Sequence, residues 1–199
     1  MITSSSVIHQ IFNLARMHKE IAMSHLIICA YFFAMRSCEH LKVSGDRWIK
    51  TPTLGNLQLY LHHQILSHDD PSHALTDTVS ITFKFQKQDN RDDTIMQYWS
   101  NDNLLCPVHQ WVAIAQRMWS YPGSSRNMLI NTTLNRSGRV ATIMSAELLK
   151  KLCTAVTTIG PDVLGFTTAE IGLHSIQSGA AMAMYLNHIP IFMLMLMGQ

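Results

Sequence analysis

An arginine and a glutamate three positions apart, Arg36 and Glu39, directly follow a long apolar stretch of the chain. Residues 20–35 are apolar on nearly all sides of a helix, which predicts a buried central helix that ends at Arg36. A guanidinium at the end of a buried helix needs an anion or a polar cap. Arg36 is therefore either an anion-binding residue or one half of an Arg36–Glu39 pair that caps the helix.

Two further stretches carry candidate functional side chains. The turn FKFQKQDNRDD, residues 83–93, holds Lys84 and Lys87, which either contact a phosphate or keep a solvated turn soluble. In GLHSIQSGAAMAMYL, residues 172–186, His174 and Gln177 lie three positions apart and so share one face of a helix. A histidine at such a helix start is either a ligand or a cap.

Basic residues are concentrated between positions 117 and 151, where Glu147 is the single acidic residue. Phosphate contacts supply most non-specific affinity for double-stranded DNA, so this segment is a candidate DNA-binding surface. A solvated face is an alternative with equal support. The candidate DNA-binding residues are Arg117, Arg126, Arg136, Arg139, Lys150 and Lys151.

One loop is rich in histidine and aspartate, which raises the question of a metal site. The spacing of these residues matches no closed structural zinc site, so a solvated loop is preferred and no metal is predicted. The chain also lacks a P-loop, a dinucleotide fingerprint and a GxSxG motif, and no cofactor is expected. The loop residues are His62, His63, His68, Asp69, Asp70 and His73.

The order of the predicted elements is helices, a small sheet, then helices again. We expect an amphipathic helix at residues 5–19 and a short helical turn after Arg36. Alternating apolar residues predict an antiparallel sheet of about three strands, at 57–61, 79–85 and 94–99. Later helices begin at Pro107 and after an N-cap at Ser145, and residues 120–142 read as loop. The chain therefore reads as a single, mainly α-helical α+β domain over residues 1–199.

Composition limits the compartment and the partners. Charged residues make up 14% of the chain and the net charge is +2, which alone does not identify a nucleic-acid partner. Four cysteines without a CxxC pair favour reduced thiols in an intracellular compartment, and the start of the chain has no secretory pattern. Residues 180–197 are apolar enough to suggest a membrane anchor. However, Asn187, His188 and Pro190 interrupt them, which favours two helices at 175–187 and 190–197 and no membrane partner.

The order of these motifs resembles the catalytic domain of tyrosine recombinases, the phage-integrase type, over nearly the whole chain. The matching stretches are AMRSCEHL at the end of the buried helix, FKFQKQ in the hairpin, LCPVHQWVAIA, and the HS-x-x-x-GAA block followed by LMG. The last of these resembles recombinase-like genes of transposable elements (Crypton-like) in eukaryotic microbes. The resemblance implies a recombinase-like helical bundle that carries a small three-stranded sheet.

What the resemblance implies for function is DNA recombination and integration by phosphoryl transfer through a covalent tyrosine–DNA intermediate. Arg36 would bind the scissile phosphate, Lys87 would be the general acid with Lys84 as the alternative, and His174 would stabilise the transition state. Gln177 stands in place of the second arginine of the family, and Gln199 in place of a histidine or tryptophan. The nucleophilic tyrosine belongs beyond the terminal Met-Gly pair of this sequence.

From these departures we expect an inactive, DNA-binding recombinase remnant without the tyrosine-bearing segment. Its partner would be double-stranded DNA, with self-association on the DNA as a further expectation, in the nucleus if the source is eukaryotic. Two alternatives remain open. The low charge density and the apolar C-terminal stretch would also fit a protein-interaction module that kept the fold and lost DNA binding, or a gene fragment without a stable fold.

Overall fold

The computed structural model describes residues 18–41, 51–84, 92–102, 104–135 and 137–191. Its helices are α1 (His18–Phe32), α2 (Ser37–His40), α3 (Pro107–Trp119), α4 (Ser145–Ile159), α5 (Pro161–Leu164) and α6 (His174–Leu186). Its strands are β1 (Leu57–Leu61), β2 (Gln64–Leu66), β3 (Thr78–Phe83), β4 (Asp93–Tyr98), β5 (Thr132–Leu134) and β6 (Val140–Thr142). The helices predicted at 5–19 and 190–197 lie almost entirely outside the described residues.

Helix α1 confirms the predicted buried helix, although it ends at Phe32. Ala34 takes a φ of 47°, and the Met35 N–H donates to the Ala30 carbonyl at 2.8 Å, which closes the last helical turn. This left-handed residue turns the chain away from the helix axis. The short helix α2 then begins directly after Arg36, as predicted.

The main sheet has four antiparallel strands in the order β2–β1–β3–β4, so the expectation of three strands was wrong. The additional strand is β2, which a two-residue turn joins to β1. His62 and His63 form that turn with φ values of 48° and 67°. Tight hairpin turns with positive φ usually contain Asn or Gly, so a His–His pair gave no turn signal.

The two faces of this sheet differ in burial, and the inner face forms part of the core. Leu57 and Leu59 of β1 and Val79, Ile81 and Phe83 of β3 alternate along their strands and are buried. They join a hydrophobic cluster that also contains residues of α1, α3 and α4. The sheet inner face and the helices therefore share one core.

Helix α3 begins at Pro107, as predicted, with Cys106 as its N-cap residue. Trp111 is fully buried on this helix, and its ring meets the ring of Phe33 edge-to-face at 5.8 Å. This contact packs α3 directly against the end of α1. The arrangement places Arg36, which follows α1, at the margin of the core.

Strands β5 and β6 pair as a separate two-stranded hairpin within residues 120–142, where only loop was expected. Each strand has three residues, too few for an alternating pattern to stand out. The Asn135 side chain accepts hydrogen bonds from the N–H groups of Ser137 and Arg139 and organises the turn. These bonds fix the turn of the hairpin, while Leu134 of β5 packs against the core.

The C-terminal half contains α4, α5 and α6. Helix α4 begins at Ser145 with Met144 at the N-cap position, one residue earlier than predicted, and Gly160 ends it with a φ of 90°. The Glu147 carboxylate accepts the Met144 N–H and so completes the first turn. Helix α6 packs against α1 through its buried Ile176 and Ala180.

The described residues form a mixed α and β fold in which helices contribute more residues than strands. This agrees with the predicted α+β class. The additional strand β2 and the β5–β6 hairpin are the differences from the predicted architecture.

Candidate functional site

Arg36 lies in a closed polar turn at the margin of the core. Its backbone N–H donates to the Glu39 carboxylate at 2.7 Å, and its guanidinium lies 3.7 Å from the other Glu39 oxygen. Glu39 is buried, while the Arg36 side chain keeps 19% of its surface exposed. The Arg36–Glu39 pair considered from the sequence is therefore present, and part of the arginine side chain stays exposed.

His40 completes this turn from the buried side. Its Nδ1–H donates to the Arg36 carbonyl at 2.8 Å, which fixes the backbone that carries the arginine. Burial lowers the pKa of His40 to about 4, against a small opposing effect of that hydrogen bond. His40 is therefore neutral at pH 7 and adds no charge beside Arg36.

The hairpin lysines follow strand β3. Lys84 is the exposed residue directly after Phe83, at the start of the connection to β4. Lys87, the preferred general acid, lies outside the described residues, as does Gln199. The preference between Lys84 and Lys87 thus stays a prediction.

His174 and Gln177 lie in the first turn of α6, as the helical spacing predicted. His174 is the first residue of the helix and is exposed, whereas Gln177 is half-buried. Upstream, the Gly172 N–H donates to the Ser175 hydroxyl at 3.0 Å, and the Ser175 N–H donates to the Gly172 carbonyl at 3.0 Å. A closed turn therefore presents the imidazole at the start of α6.

Arg117 is held inside the molecule, between α1 and α3. Its guanidinium Nη1 donates to Nδ1 of His25 at 3.2 Å. Burial lowers the pKa of Arg117, and burial together with the arginine charge lowers the pKa of His25 to about 4. The neutral His25 thus hydrogen-bonds to a guanidinium whose Nε and Nη2 are buried, so this charged group is turned away from contact with DNA.

Lys150 and Lys151 are adjacent in α4 but occupy different environments. Lys150 is exposed, whereas Lys151 has 8% of its side-chain surface exposed and its Nζ lies 3.9 Å from a Glu20 oxygen. Burial lowers the pKa of Lys151, while the Glu20 carboxylate raises it. Lys19 of α1 forms a second ion pair with Glu147 of α4. These pairs join the two helices. Lys151 therefore lies at the interface of α1 and α4, whereas Lys150 lies at the surface.

The remaining basic candidates lie in loops. Arg126 and Arg139 are exposed, and Arg136 lies outside the described residues. The Arg126 carbonyl accepts the Gly55 N–H at 2.7 Å, which ties its loop to the turn before β1. Arg126, Arg139 and Lys150 are the predicted basic side chains that the structure leaves at the surface.

A shallow groove of about 480 Å³ borders Lys150 on the outer side of α4. Its lining is one ammonium group, a half-buried thiol and several hydroxyls, a combination that can donate hydrogen bonds to an anion. It is formed by Lys150, Cys153, Thr154, Thr157, Thr158, Thr168 and Ala169.

The histidine-rich loop uses its side chains for local structure. His68 and His73 bond through Nε2 to the carbonyl groups of Leu57 and Ser67, at 2.8 and 2.6 Å. Asp70 accepts the Ser72 N–H and caps the 3-10 turn Pro71–Leu75. Within the described ranges, no group of three or more His, Cys, Asp or Glu residues is placed to hold a metal ion.

The membrane alternative concerned the apolar stretch at residues 180–197. In the part of the chain that the structure describes, no helix has both the length and the hydropathy needed to cross a bilayer. The described portion of that stretch belongs to α6, which ends at Leu186, and to the turn that follows it.

No protein-family model matches the chain, and no curated protein has a significantly similar sequence.

Sequence reasoning missed three features of these sites. It gave no role to Gly172, to the buried His40, or to the His25–Arg117 contact. The apolar run around His25 contained the only signal, because a histidine in a buried helix needs a polar partner from another element. Sequence alone does not show that Arg117 is that partner.

Proposed function

We propose that the chain is a DNA-binding remnant of a tyrosine-recombinase catalytic domain, inactive in strand transfer. The observation that carries the proposal is the order of three features. Arg36 follows a buried helix with Glu39 as its partner, Lys84 opens the connection of an antiparallel hairpin, and an exposed His174 begins a late helix. This is the order in which the resemblance expects the first arginine, the hairpin lysine and the histidine of the site.

The Arg36 turn has the properties of a phosphate ligand. The Arg36 carbonyl accepts a hydrogen bond from His40, and the guanidinium pairs with Glu39. Both contacts limit the freedom of the guanidinium before any ligand arrives. An arginine whose orientation is fixed in advance loses less entropy when it binds two phosphate oxygens. The exposed part of the side chain is the side from which a phosphate would approach.

Gln177 is the reason for proposing inactivity. An amide in place of a guanidinium still donates a hydrogen bond, but it brings no positive charge to the transition state. Loss of one preorganised donor lowers a catalytic rate by about 10²–10³-fold. DNA binding, unlike catalysis, needs only positive charge at the surface. Arg126, Arg139 and Lys150 supply exposed positive charge.

The test is binding of a labelled random-sequence duplex across a salt series. We expect the affinity of the parent to fall steeply with salt, and Arg36→Gln to bind more weakly with a slope smaller by about 1. Glu39→Gln keeps a side-chain oxygen for the Arg36 N–H and removes a negative charge beside the guanidinium, so it should bind at least as tightly as the parent. Arg117→Met is the matched control, because it removes an arginine from the interior.

Thermal unfolding of each variant establishes that it is folded. A folded parent that fails to bind duplex DNA at low salt would contradict the proposal. Inactivity is tested separately by incubation with nicked duplex DNA, where we expect no covalent protein–DNA adduct. An adduct formed by this chain alone would refute inactivity but not DNA binding.

A second candidate function, a protein-interaction module, is favoured by the outer face of the sheet. Ile65 and Tyr98 are 64% and 65% exposed there, in the cross-strand row that also contains Tyr60 and Thr78. Exposed apolar side chains such as these two suit contact with another protein. A defined oligomer in analytical ultracentrifugation, together with no affinity for duplex DNA, would favour this function over the first.

A further inference from the structure

The imidazole of His174 lies directly against the backbone of Gly172. A Cβ atom built on Gly172 would lie 2.7 Å from Cε1 and 2.8 Å from Nδ1 of that ring. Both distances are shorter than van der Waals contact allows. Any side chain at position 172 would therefore have to displace the His174 ring.

The backbone at position 172 does not itself require glycine. Gly165, by contrast, has a φ of 76°, in the left-handed region where other residues are strained, and Gly172 lies outside that region. The turn at Gly172 is held by its two hydrogen bonds with Ser175, which use backbone groups and the serine hydroxyl. An alanine at position 172 can make both bonds. The steric conflict of such an alanine is thus with the histidine ring.

We propose that Gly172 is a positioning residue for His174. The absence of a side chain leaves free the space that the imidazole occupies, and so sets the orientation of the ring at the start of α6. This inference rests on the proposed function, in which His174 contacts a DNA phosphate. It adds a residue that acts through the histidine without touching DNA.

The first test examines the ring without DNA. In NMR spectra of the folded protein, with the His174 signals assigned from His174→Ala, we expect Gly172→Ala to shift the His174 ring resonances. Signals of distant histidines such as His68 should stay in place. Unchanged His174 resonances in Gly172→Ala would overturn the proposal, whether or not the chain binds DNA.

The second test is a double-mutant cycle in duplex binding at low salt. We expect Gly172→Ala to weaken binding about 3- to 10-fold in the parent, as a loss of one oriented ligand, and to have no further effect in His174→Ala. An equal loss in both backgrounds would mean that Gly172 acts on the fold and not through His174.

The two proposals fail in different ways. If the folded parent does not bind DNA, the proposed function fails. The His174 ring resonances of Gly172→Ala still test the positioning role of Gly172. If the parent binds DNA and the His174 ring resonances do not shift in Gly172→Ala, only the positioning role fails.

Discussion

Positively charged and histidine side chains differ in exposure between two regions of the molecule. One region is the interface of α1 with α3 and α4, and the other comprises the turns that begin α2 and α6. At the interface, Arg117 is buried against a neutral His25, and Lys151 is buried beside Glu20. At the turns, Arg36 and His174 stay partly or fully exposed at the ends of helices. The interface uses positive charge to join helices, whereas the turns present groups that can meet an anion.

The difference shows that the number of basic residues in a segment does not measure its positive surface. Lys150 and Lys151 point about 100° apart because successive residues of a helix differ by that angle. One of them therefore faces solvent when the other faces α1. The structure thus divides the basic segment 117–151 into interior and surface cations.

The largest expected effect separates the core of the interface from the surface. Trp111→Ala should lower the free energy of unfolding by about 4 kcal/mol, because it leaves a cavity beside Phe33. Trp99 is 49% exposed, so Trp99→Ala is the matched control with an expected loss of about 1 kcal/mol or less. Denaturant titration measures both variants, and similar losses would contradict the placement of the core.

The second effect is a loss of stability in acid. Burial lowers the pKa of His25 and His40 from 6.5 to about 4, so the unfolded chain takes up these protons first. Their contribution to stability is therefore complete above about pH 6.5 and is lost as the pH falls towards 4. A shift of this size is worth at most about 3 kcal/mol for each histidine.

Denaturant unfolding at about pH 7 and about pH 4.5 measures this loss. Carboxylates such as Glu147, whose pKa is also lowered in the fold, add to the loss in acid, so the comparison uses His40→Gln. We expect His40→Gln to lose less stability than the parent between the two pH values. An equal loss would mean that His40 is not buried as a neutral group.

The third effect compares the neighbouring lysines. Lys151→Met should lower stability by about 1 kcal/mol, because it leaves Glu20 without this partner, and should not change DNA affinity. Lys150→Met should change stability by less than about 0.5 kcal/mol and reduce the salt slope of DNA binding by about 1. The reverse pattern would place the DNA-binding face on the other side of α4.

The smallest effect on stability concerns Gln177. Gln177→Arg puts a positive charge on the face of α6 that carries His174, so we expect the salt slope of DNA binding to rise by about 1. Stability should change by less than about 0.5 kcal/mol because the side chain is only half-buried. Ser178→Arg, at an exposed neighbouring position, is the control for added charge. Equal gains in both variants would argue against a specific site at position 177.

Most long elements of this fold could be predicted from local sequence, while several short ones could not. The apolar run before Arg36, the proline at 107 and the alternation in β3 each carry a local signal that the structure confirms. Strand β2 depends on a tight turn formed by two histidines, and a signal for it is absent because the residue pairs that mark such turns are Asn-Gly, Asp-Gly and Gly-Gly.

The candidate site likewise has some features that local sequence predicts and others that it does not. The helical spacing of His174 and Gln177 and the proximity of Glu39 to Arg36 follow from positions along one helix or turn. The burial of Arg117 depends on His25, which is 92 residues away in the sequence. The proposed role of Gly172 depends on the rotamer of a neighbouring ring, which the sequence does not determine.

The proposed function implies that Arg36 and His174 act on the same phosphate. The most direct measurement is an NMR titration of the protein with a short duplex, following the Arg36 Nε–H and the His174 imidazole signals. We expect both signals to shift together with one dissociation constant, while the Arg117 Nε–H signal stays in place. Shifts confined to the outer face of the sheet, or separate dissociation constants for Arg36 and His174, would contradict it.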